Sequence, residues 1–432
     1  MRFALIRKGI FSPYANLSRE IYILFAARIV TCLGGFIQPL LTLILTQKLG
    51  FSAAETGSFS ALLILTQAPA VILGGKLTDR VGRKTILVSC QIAGSFFYLV
   101  CALFPYKFLI VPCIMLAADL YTAAAPAYEA MTADLSTPEN RQASYSLIYL
   151  GINIGLAVSP LFAGLLFQNY LRLMFFLDGA TTLVSTLIII FAIREPDWKE
   201  RSKSSGQEQR RGNISAFQLL RLFPGLLFVI LLTFAYTFTY SQWSFLLPLQ
   251  FGDFYGKNGA VNYSMMTALN SLTVVLFTSV LTGLTKRRRP LRVIALSGVV
   301  FSVSFLMFAL VRSMPLFLVA GAIFTFGEIL ESIHLRPYLA NHTPPQYLGR
   351  INSFAMFVQG TGNAMGPLLA GCILAPAGYR FTWMFQAAFV FLGAAGMFAL
   401  DRKEKRTEEC PPSKIPPQNG SADPMNHVET LS

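Results

Sequence analysis

The stretch Gly75-Lys76-Leu77-Thr78-Asp79-Arg80-Val81-Gly82-Arg83-Lys84 decides how this chain is read. It is a dense cluster of charge and glycine set between two long apolar runs. Glycine permits a tight turn where two helix ends nearly touch. Basic residues resist crossing a bilayer, so this turn holds its end of the runs on the cytoplasmic side. Asp79 is not needed for that topology and calls for a reason of its own.

Composition agrees with a chain built for lipid. Of 432 residues 54% are hydrophobic and only 13% charged, with mean hydropathy +0.55. Repeated apolar runs of about 20 residues indicate a polytopic membrane protein. The net charge of +14 follows from topology: with both termini inside, 28 of the 35 Lys and Arg fall in cytoplasmic segments, six in external loops, and Arg28 inside a span. No basic surface interleaved with aromatics exists outside the loops, which argues against nucleic acid as a partner. Five of the six cysteines lie in apolar runs without metal-ligand spacing, so neither disulfides nor a metal site is expected. The first run is too long for a signal peptide. The segment before it, with Phe3, Ile6 and Phe11 among Arg7 and Lys8, reads as lying on the cytoplasmic bilayer surface.

Twelve spans are predicted, at 20–46, 54–75, 84–104, 108–131, 143–168, 173–193, 224–248, 261–284, 291–311, 316–338, 352–375 and 379–400. They must be helices, because lipid cannot satisfy an open strand edge. The domains expected are a cytoplasmic segment 1–19, a six-helix bundle 20–193, a basic linker 194–223, a second bundle 224–400 and a disordered tail 401–432. The bundles repeat. Ser159-Pro160-Leu161-Phe162-Ala163-Gly164 matches Gly366-Pro367-Leu368-Leu369-Ala370-Gly371 at an offset of 207, and Asp79-Arg80 falls on Lys286-Arg287 at the same offset. Arg141 is matched by Arg350 with two extra residues. Two related six-helix halves are a transporter architecture, with substrate bound between them.

These residues resemble the major facilitator superfamily. Gly75, Leu77, Asp79, Arg80, Gly82, Arg83 and Lys84 fill every key position of its loop signature G-x-L-x-D-R-x-G-R-K; the second copy, Thr285 to Pro290, keeps the charge but lacks the Asp and Gly. Gly151, Gly155, Ser159, Pro160 and Gly164 resemble the antiporter signature of span 5, with serine where glycine is usual before the proline. Leu33-Gly34 followed by Pro39, and Gly327-Glu328-Ile329-Leu330, are similar to bacterial drug:proton antiporters. The resemblance covers residues 15–400 and implies an all-α fold of two pseudo-symmetric six-helix bundles. It further implies a multi-pass protein of the inner (plasma) membrane, monomeric, with cytoplasmic termini. It makes Gly75, Asp79, Arg80, Gly82, Arg83, Arg141, Gly155 and Pro160 gating residues, Asp79 by contacting the cytoplasmic start of span 11.

Ionisable groups at bilayer depth are costly, and each is a functional candidate. Arg28, Asp119 and Glu328 lie nine, eleven and twelve residues into their spans, near midplane, and Glu331 and His334 continue from Glu328 at three-residue steps. Glu328 or Asp119 could bind a coupling proton with Arg28 as counter-charge; the alternative is a structural ion pair. For His334 a structural hydrogen bond is the preferred reading. Tyr236, Tyr240 and Trp243 share one face of span 7, beside Gln242; facing inward they offer stacking surface to a lipophilic or cationic ligand, the alternative being that Trp243 belongs to the aromatic belt at the outer interface. Asn153 and Asn270 are candidate polar contacts to substrate or between helices. No phosphate-binding G-x-x-x-x-G-K-[ST] loop and no catalytic constellation occurs, so no cofactor and no enzyme activity are expected and the proton gradient must supply the energy. The preferred function is proton-coupled efflux of small amphipathic molecules; the alternatives are a transporter of a specific metabolite such as a sugar, and a non-transporting sensor on the same scaffold.

Overall fold

The computed structural model describes residues 17–104, 107–137, 140–195, 224–343 and 348–409. All regular structure among them is helical. The N-terminal half comprises α1 (Arg19–Leu33), α2 (Ile37–Leu43), α3 (Ala53–Val81), α4 (Arg83–Leu103), α5 (Lys107–Asp134), α6 (Arg141–Phe167) and α7 (Leu171–Ala192). The C-terminal half comprises α8 (Pro224–Tyr240), α9 (Leu246–Tyr255), α10 (Gly259–Thr285), α11 (Pro290–Leu310), α12 (Met314–Asn341) and α13 (Leu348–Glu409). By length and apolarity they form 10 membrane-spanning stretches. Two of these, Pro224–Thr285 and Ile351–Lys405, run to 62 and 55 residues. At about 1.5 Å per residue each is over twice the depth of a core about 30 Å thick. Gly256 (φ 51°) turns the first and Gly378 (φ 72°, ψ 174°) breaks the second. The ten stretches thus have room for the twelve crossings predicted.

Span 1 is not continuous. Its helix stops at Leu33 and restarts at Ile37, and the freed N–H groups of Phe36 and Ile37 both donate to Asp178 Oδ2, at 3.0 and 3.1 Å. Ser159 Oγ donates to the Gly35 carbonyl at 3.0 Å. The serine that departs from the antiporter signature therefore serves the same break. Span 7 breaks correspondingly: a 3-10 turn, Ser241–Trp243, separates α8 from α9. Positions 34 and 241 differ by 207, the offset of the sequence repeat.

The basic end of the molecule carries Arg80–Lys84 and Lys286–Arg289; the far end carries the turns at Gly50, Gly256 and Gly378. Contacts between the halves run from the far end to mid-span. Gly57 lies against the Pro367 carbonyl and Gly371 against that of Ala53, while Gly164 abuts Ser264 and Ala260. A Cβ at any of these glycines would collide with its neighbour. Hydrogen bonds across the halves follow the same pattern: Thr42 Oγ1 to the Ser244 carbonyl (2.7 Å), Gln168 Nε2 to that of Lys257 (2.7 Å), and Ser271 Oγ to that of Leu156 (3.3 Å). The helices α5 and α12 pack mainly within their own halves.

At the basic end each half is braced separately. Arg83, only 7% exposed, sits behind Gly82 (φ 130°). Its Nε meets Asp134 Oδ2 at 3.1 Å, and its Nη1 reaches Asp79 at 3.3 Å and the Thr78 carbonyl at 3.0 Å. Glu195 accepts the N–H groups of Lys84 and Thr85, satisfying the first turn of α4. In the other half Arg289 pairs with Asp401 (3.1 Å) and Glu404 (3.7 Å). Those acids lie on a helical continuation of α13, where the sequence predicts the start of a disordered tail; their pairing with Arg289 gives that segment a reason to stay helical. The rest of the tail, most of the N-terminal segment and nearly all of the linker lie outside the described residues.

The break in span 1 yields a stability prediction. Asp178→Ala strands the buried Ile37 N–H, at about 1–3 kcal/mol, and leaves the Phe36 N–H only the Gly34 carbonyl, so thermal unfolding in detergent moves below wild type, while Asp178→Asn keeps an acceptor and most of the stability.

Candidate functional site

A mid-span polar cluster lies in the C-terminal half. On α12, Glu328 is half-buried. Its Oε1 accepts from Tyr240 Oη at 2.9 Å and its Oε2 from Asn270 Nδ2 at 2.7 Å. Asn270 also lies 3.0 Å from Thr325 Oγ1, a turn before the acid. Tyr240 is aimed by stacking on Phe324 (ring centroids 5.6 Å apart), and Trp243 stacks on the same ring at 4.5 Å. Since Phe324 precedes Glu328 by one turn of α12, a tyrosine lying on that ring presents its hydroxyl to the carboxylate. Tyr240 remains 37% exposed, so the cluster has an open side. Tyr240 is also the last residue of α8 before the break in span 7.

The N-terminal half carries a smaller counterpart. Asp119 Oδ1 on α5 accepts from Thr66 Oγ1 on α3 at 2.9 Å. In both halves the acid of the fourth span is thus bonded by a polar residue of the second, spans 2 and 4 repeating as spans 8 and 10. The offset of 207 carries Asn270 back to position 63, one helical turn from Thr66.

Arg28 goes elsewhere. Its guanidinium lies 4.8 Å over the Tyr128 ring, whose hydroxyl donates to the Leu24 carbonyl at 2.9 Å. Its Nε is buried without a hydrogen-bond partner, and among the described residues it forms no ion pair with Asp119, Glu328 or Glu331. Instead of a counter-charge for an acid, it is a cation held on an aromatic face. Glu331 lies one turn from Glu328 toward the basic end, half-buried and with no described hydrogen bond. His334 Nδ1 contacts the Leu330 carbonyl at 3.1 Å, the structural bond expected of it.

Several predicted contact residues serve the helix packing. Tyr236 is 1% exposed and donates to the Ile294 carbonyl of α11 at 2.8 Å. Gln242 is fully buried against Gly366, its amide directed at the Phe238 carbonyl and Ser241 Oγ. Asn153 turns back to the Tyr149 carbonyl (2.8 Å), and Trp243 supports the platform beneath Tyr240. Of the gating residues, Gly155 abuts Cys32 and lets α6 meet α1; Pro160 is buried and Gly75 touches Pro126. Arg80 and Arg141 are exposed. The described partner of Asp79 is Arg83, and its side chain is 67% exposed. The acid lies at the basic end, away from the contacts between the halves described above.

The profile of the Major Facilitator Superfamily matches residues 23–367. The chain belongs to that superfamily. A "Na(+), Li(+), K(+)/H(+) antiporter" of Planococcus maritimus is 25% identical over 378 residues, 76% of this chain and 88% of the relative. "Multidrug resistance protein MdtG" of Dickeya zeae is 24% identical over 389 residues, 86% and 91% of the two chains. Among solved structures, the nucleoside transporter NupG superposes with a TM-score of 0.72 at 14% identity, covering 89% of this chain and all of that one. The peptide-transporter-family protein PepTSo gives 0.73 at 16%, covering 91% and 99%. Both likenesses are of fold. The fold class and the resemblance predicted from the loop signature are borne out, and the chain is a multi-pass membrane transporter.

The two tyrosines of α8 give separable predictions. Tyr236→Phe loses one buried hydrogen bond and lowers stability by about 1 kcal/mol, read by thermal unfolding. Tyr240→Phe leaves the unfolding temperature near wild type but removes one of the two donors on Glu328, so its effect falls on transport.

Proposed function

We propose that this transporter exports small amphipathic molecules in exchange for protons, with Glu328 as the group that the two share. The observation that carries the reading is the Glu328–Tyr240–Asn270 cluster: an acid at mid-span, between two donors and an aromatic platform, on a helix that packs within its own half. The names of relatives such as MdtG support the substrate class, and the antiporter named above supports exchange.

The chemistry follows from the two hydrogen bonds. The ionised carboxylate accepts from both Tyr240 and Asn270. A proton placed on Oε1 makes that oxygen a donor, so the Tyr240 hydroxyl must turn to accept. Tyr240 ends α8 at the break in span 7, which links the protonation state to the segment best able to bend. An amphipathic substrate stacking on Tyr240 competes with the proton for the same acid, and a cationic one most strongly. Competition for one site opened alternately to either side is sufficient for exchange. Among the described residues the close contacts named between the halves lie at the far end and mid-span. With the basic turns cytoplasmic by the distribution of Lys and Arg, this supports reading the structure as an inward-facing state of the cycle. Asp79 then belongs to the outward-facing state, in which the basic end closes over it. Asp119, with its own donor Thr66, is the second acid able to take part.

A second reading is favoured by the Planococcus relative: exchange of an alkali cation for protons, with the Glu328 carboxylate and the Asn270 carbonyl oxygen as hard oxygen ligands. One assay separates the two. Purified protein in proteoliposomes with an imposed pH gradient is presented with a fluorescent amphipathic dye, then with Na+ and K+. Gradient-driven dye movement that falls to background in Glu328→Gln supports the main reading. Cation-driven proton flux without dye movement supports the second. Gradient-driven dye efflux at full rate in both Glu328→Gln and Asp119→Asn overturns the role given to these acids. In the same assay Asp79→Asn reaches wild-type abundance but loses transport.

A further inference from the structure

We propose that a groove on the outer wall of the C-terminal half, between α10, α11 and α13 at the basic end, is a binding site for an anionic phospholipid. The groove has a volume of about 630 Å3, within the range of built ligand sites. Its floor and walls are apolar, formed chiefly by Leu284, Leu296, Val299, Phe391 and Phe398. Its mouth carries Arg288 and Arg292, both exposed. No acid among the described residues pairs with either, whereas the neighbouring Arg289 is taken by Asp401 and Glu404. A third cation, Arg402, lies 4.6 Å over the ring of Phe398, one of the groove's lining residues.

Geometry selects the occupant. Arg292, Leu296 and Val299 follow one another at helical spacing on a single face of α11. From Arg292 to Val299 the helix rises about 10 Å, so the groove starts at the headgroup level and ends within one leaflet of a core about 30 Å thick. A molecule that fits has a negative head and a hydrocarbon tail. Phosphate is the head that fork-shaped guanidinium groups recognise best, and basic pockets between spanning helices favour anionic lipid heads. The groove includes none of Glu328, Tyr240, Asn270, Asp119 or Thr66, so it is separate from the transport cluster. A lipid seated there bridges α10 to α11 and α13 across the turn Lys286–Arg289, which in the other half is braced by Asp79, Arg83 and Asp134.

The test is native mass spectrometry of the purified full chain, released from detergent with equal amounts of phosphatidylglycerol and phosphatidylcholine. Wild type is expected to keep a phosphatidylglycerol adduct in preference to phosphatidylcholine. Arg288→Gln with Arg292→Gln, both surface changes, is expected to lose that preference about thirtyfold, the factor two cations supply at an anionic membrane surface. Leu296→Trp, which fills the groove but leaves the arginines, is expected to lose the adduct as well. Equal retention of the two lipids by wild type, or an unchanged preference in the double variant, overturns the site. Full retention in Leu296→Trp also overturns it, because the lipid is then held by surface charge and not by the groove. Dimers that part in Leu296→Trp while lipid retention is unaffected overturn it too, since a second copy of the chain is then the occupant.

Discussion

Small residues at the far end let backbone meet backbone between the halves: Gly57 on Pro367, Gly371 on Ala53, Gly164 on Ala260 and Ser264. In lipid no hydrophobic drive holds helices together, so close approach and cross-helix hydrogen bonds must do it. Both occur here at the far end and down to mid-span, where Ser271 reaches Leu156. Everything else about the molecule is compatible with this joint. The broken spans 1 and 7 lie beside it. The buried arginine at the basic end ties α3, α4 and α5 to one another through Asp79 and Asp134.

The same constraint explains where charge is placed. Each polar group within the membrane must find its partner inside the protein. Asp178 satisfies the two N–H groups freed by the break in span 1. Arg28 settles on Tyr128, and Arg83 on Asp79 and Asp134. Removing one member of such a buried pairing is costly because the other stays behind uncompensated. Glu328 differs in having two neutral donors and no cation, so that its charge is stabilised without being cancelled. That arrangement suits a group that must change its charge during a cycle.

Much of the fold was legible in the sequence because lipid imposes simple rules. Apolar length set the spans, basic turns set their polarity, and the offset of 207 exposed the repeat. The Gly75–Lys84 turn carried the family. The site was read less well. Depth along a helix follows from counting, so Glu328, Asp119 and Arg28 were found as mid-span charges. Which way each side chain points depends on helix rotation, and counting does not give that. Tyr236 and Tyr240 lie on one face four residues apart, yet one is sealed against α11 and the other reaches Glu328. Gln242 fell at a helix break that turned it into the interface with α13. Thr66 and Thr325 carry no distinct signal in the sequence, because a threonine inside an apolar run usually bonds its own helix backbone, as both also do here. The repeat could have pointed to Thr66, one turn from the position equivalent to Asn270. Asp79 pairs with Arg83 and is otherwise exposed, and how the two halves sit relative to each other is a property of no single stretch.

In the proposed cycle one acid, Glu328, biases one joint between the halves. Spin labels at Arg80→Cys and Arg287→Cys, on a background without other cysteines, report the distance between the halves at the basic end by double electron–electron resonance. The account predicts a long and a short distance whose balance moves with pH in the wild-type background and is fixed across pH in Glu328→Gln. A single distance unaffected by pH, or an equal pH response in Glu328→Gln, would contradict it.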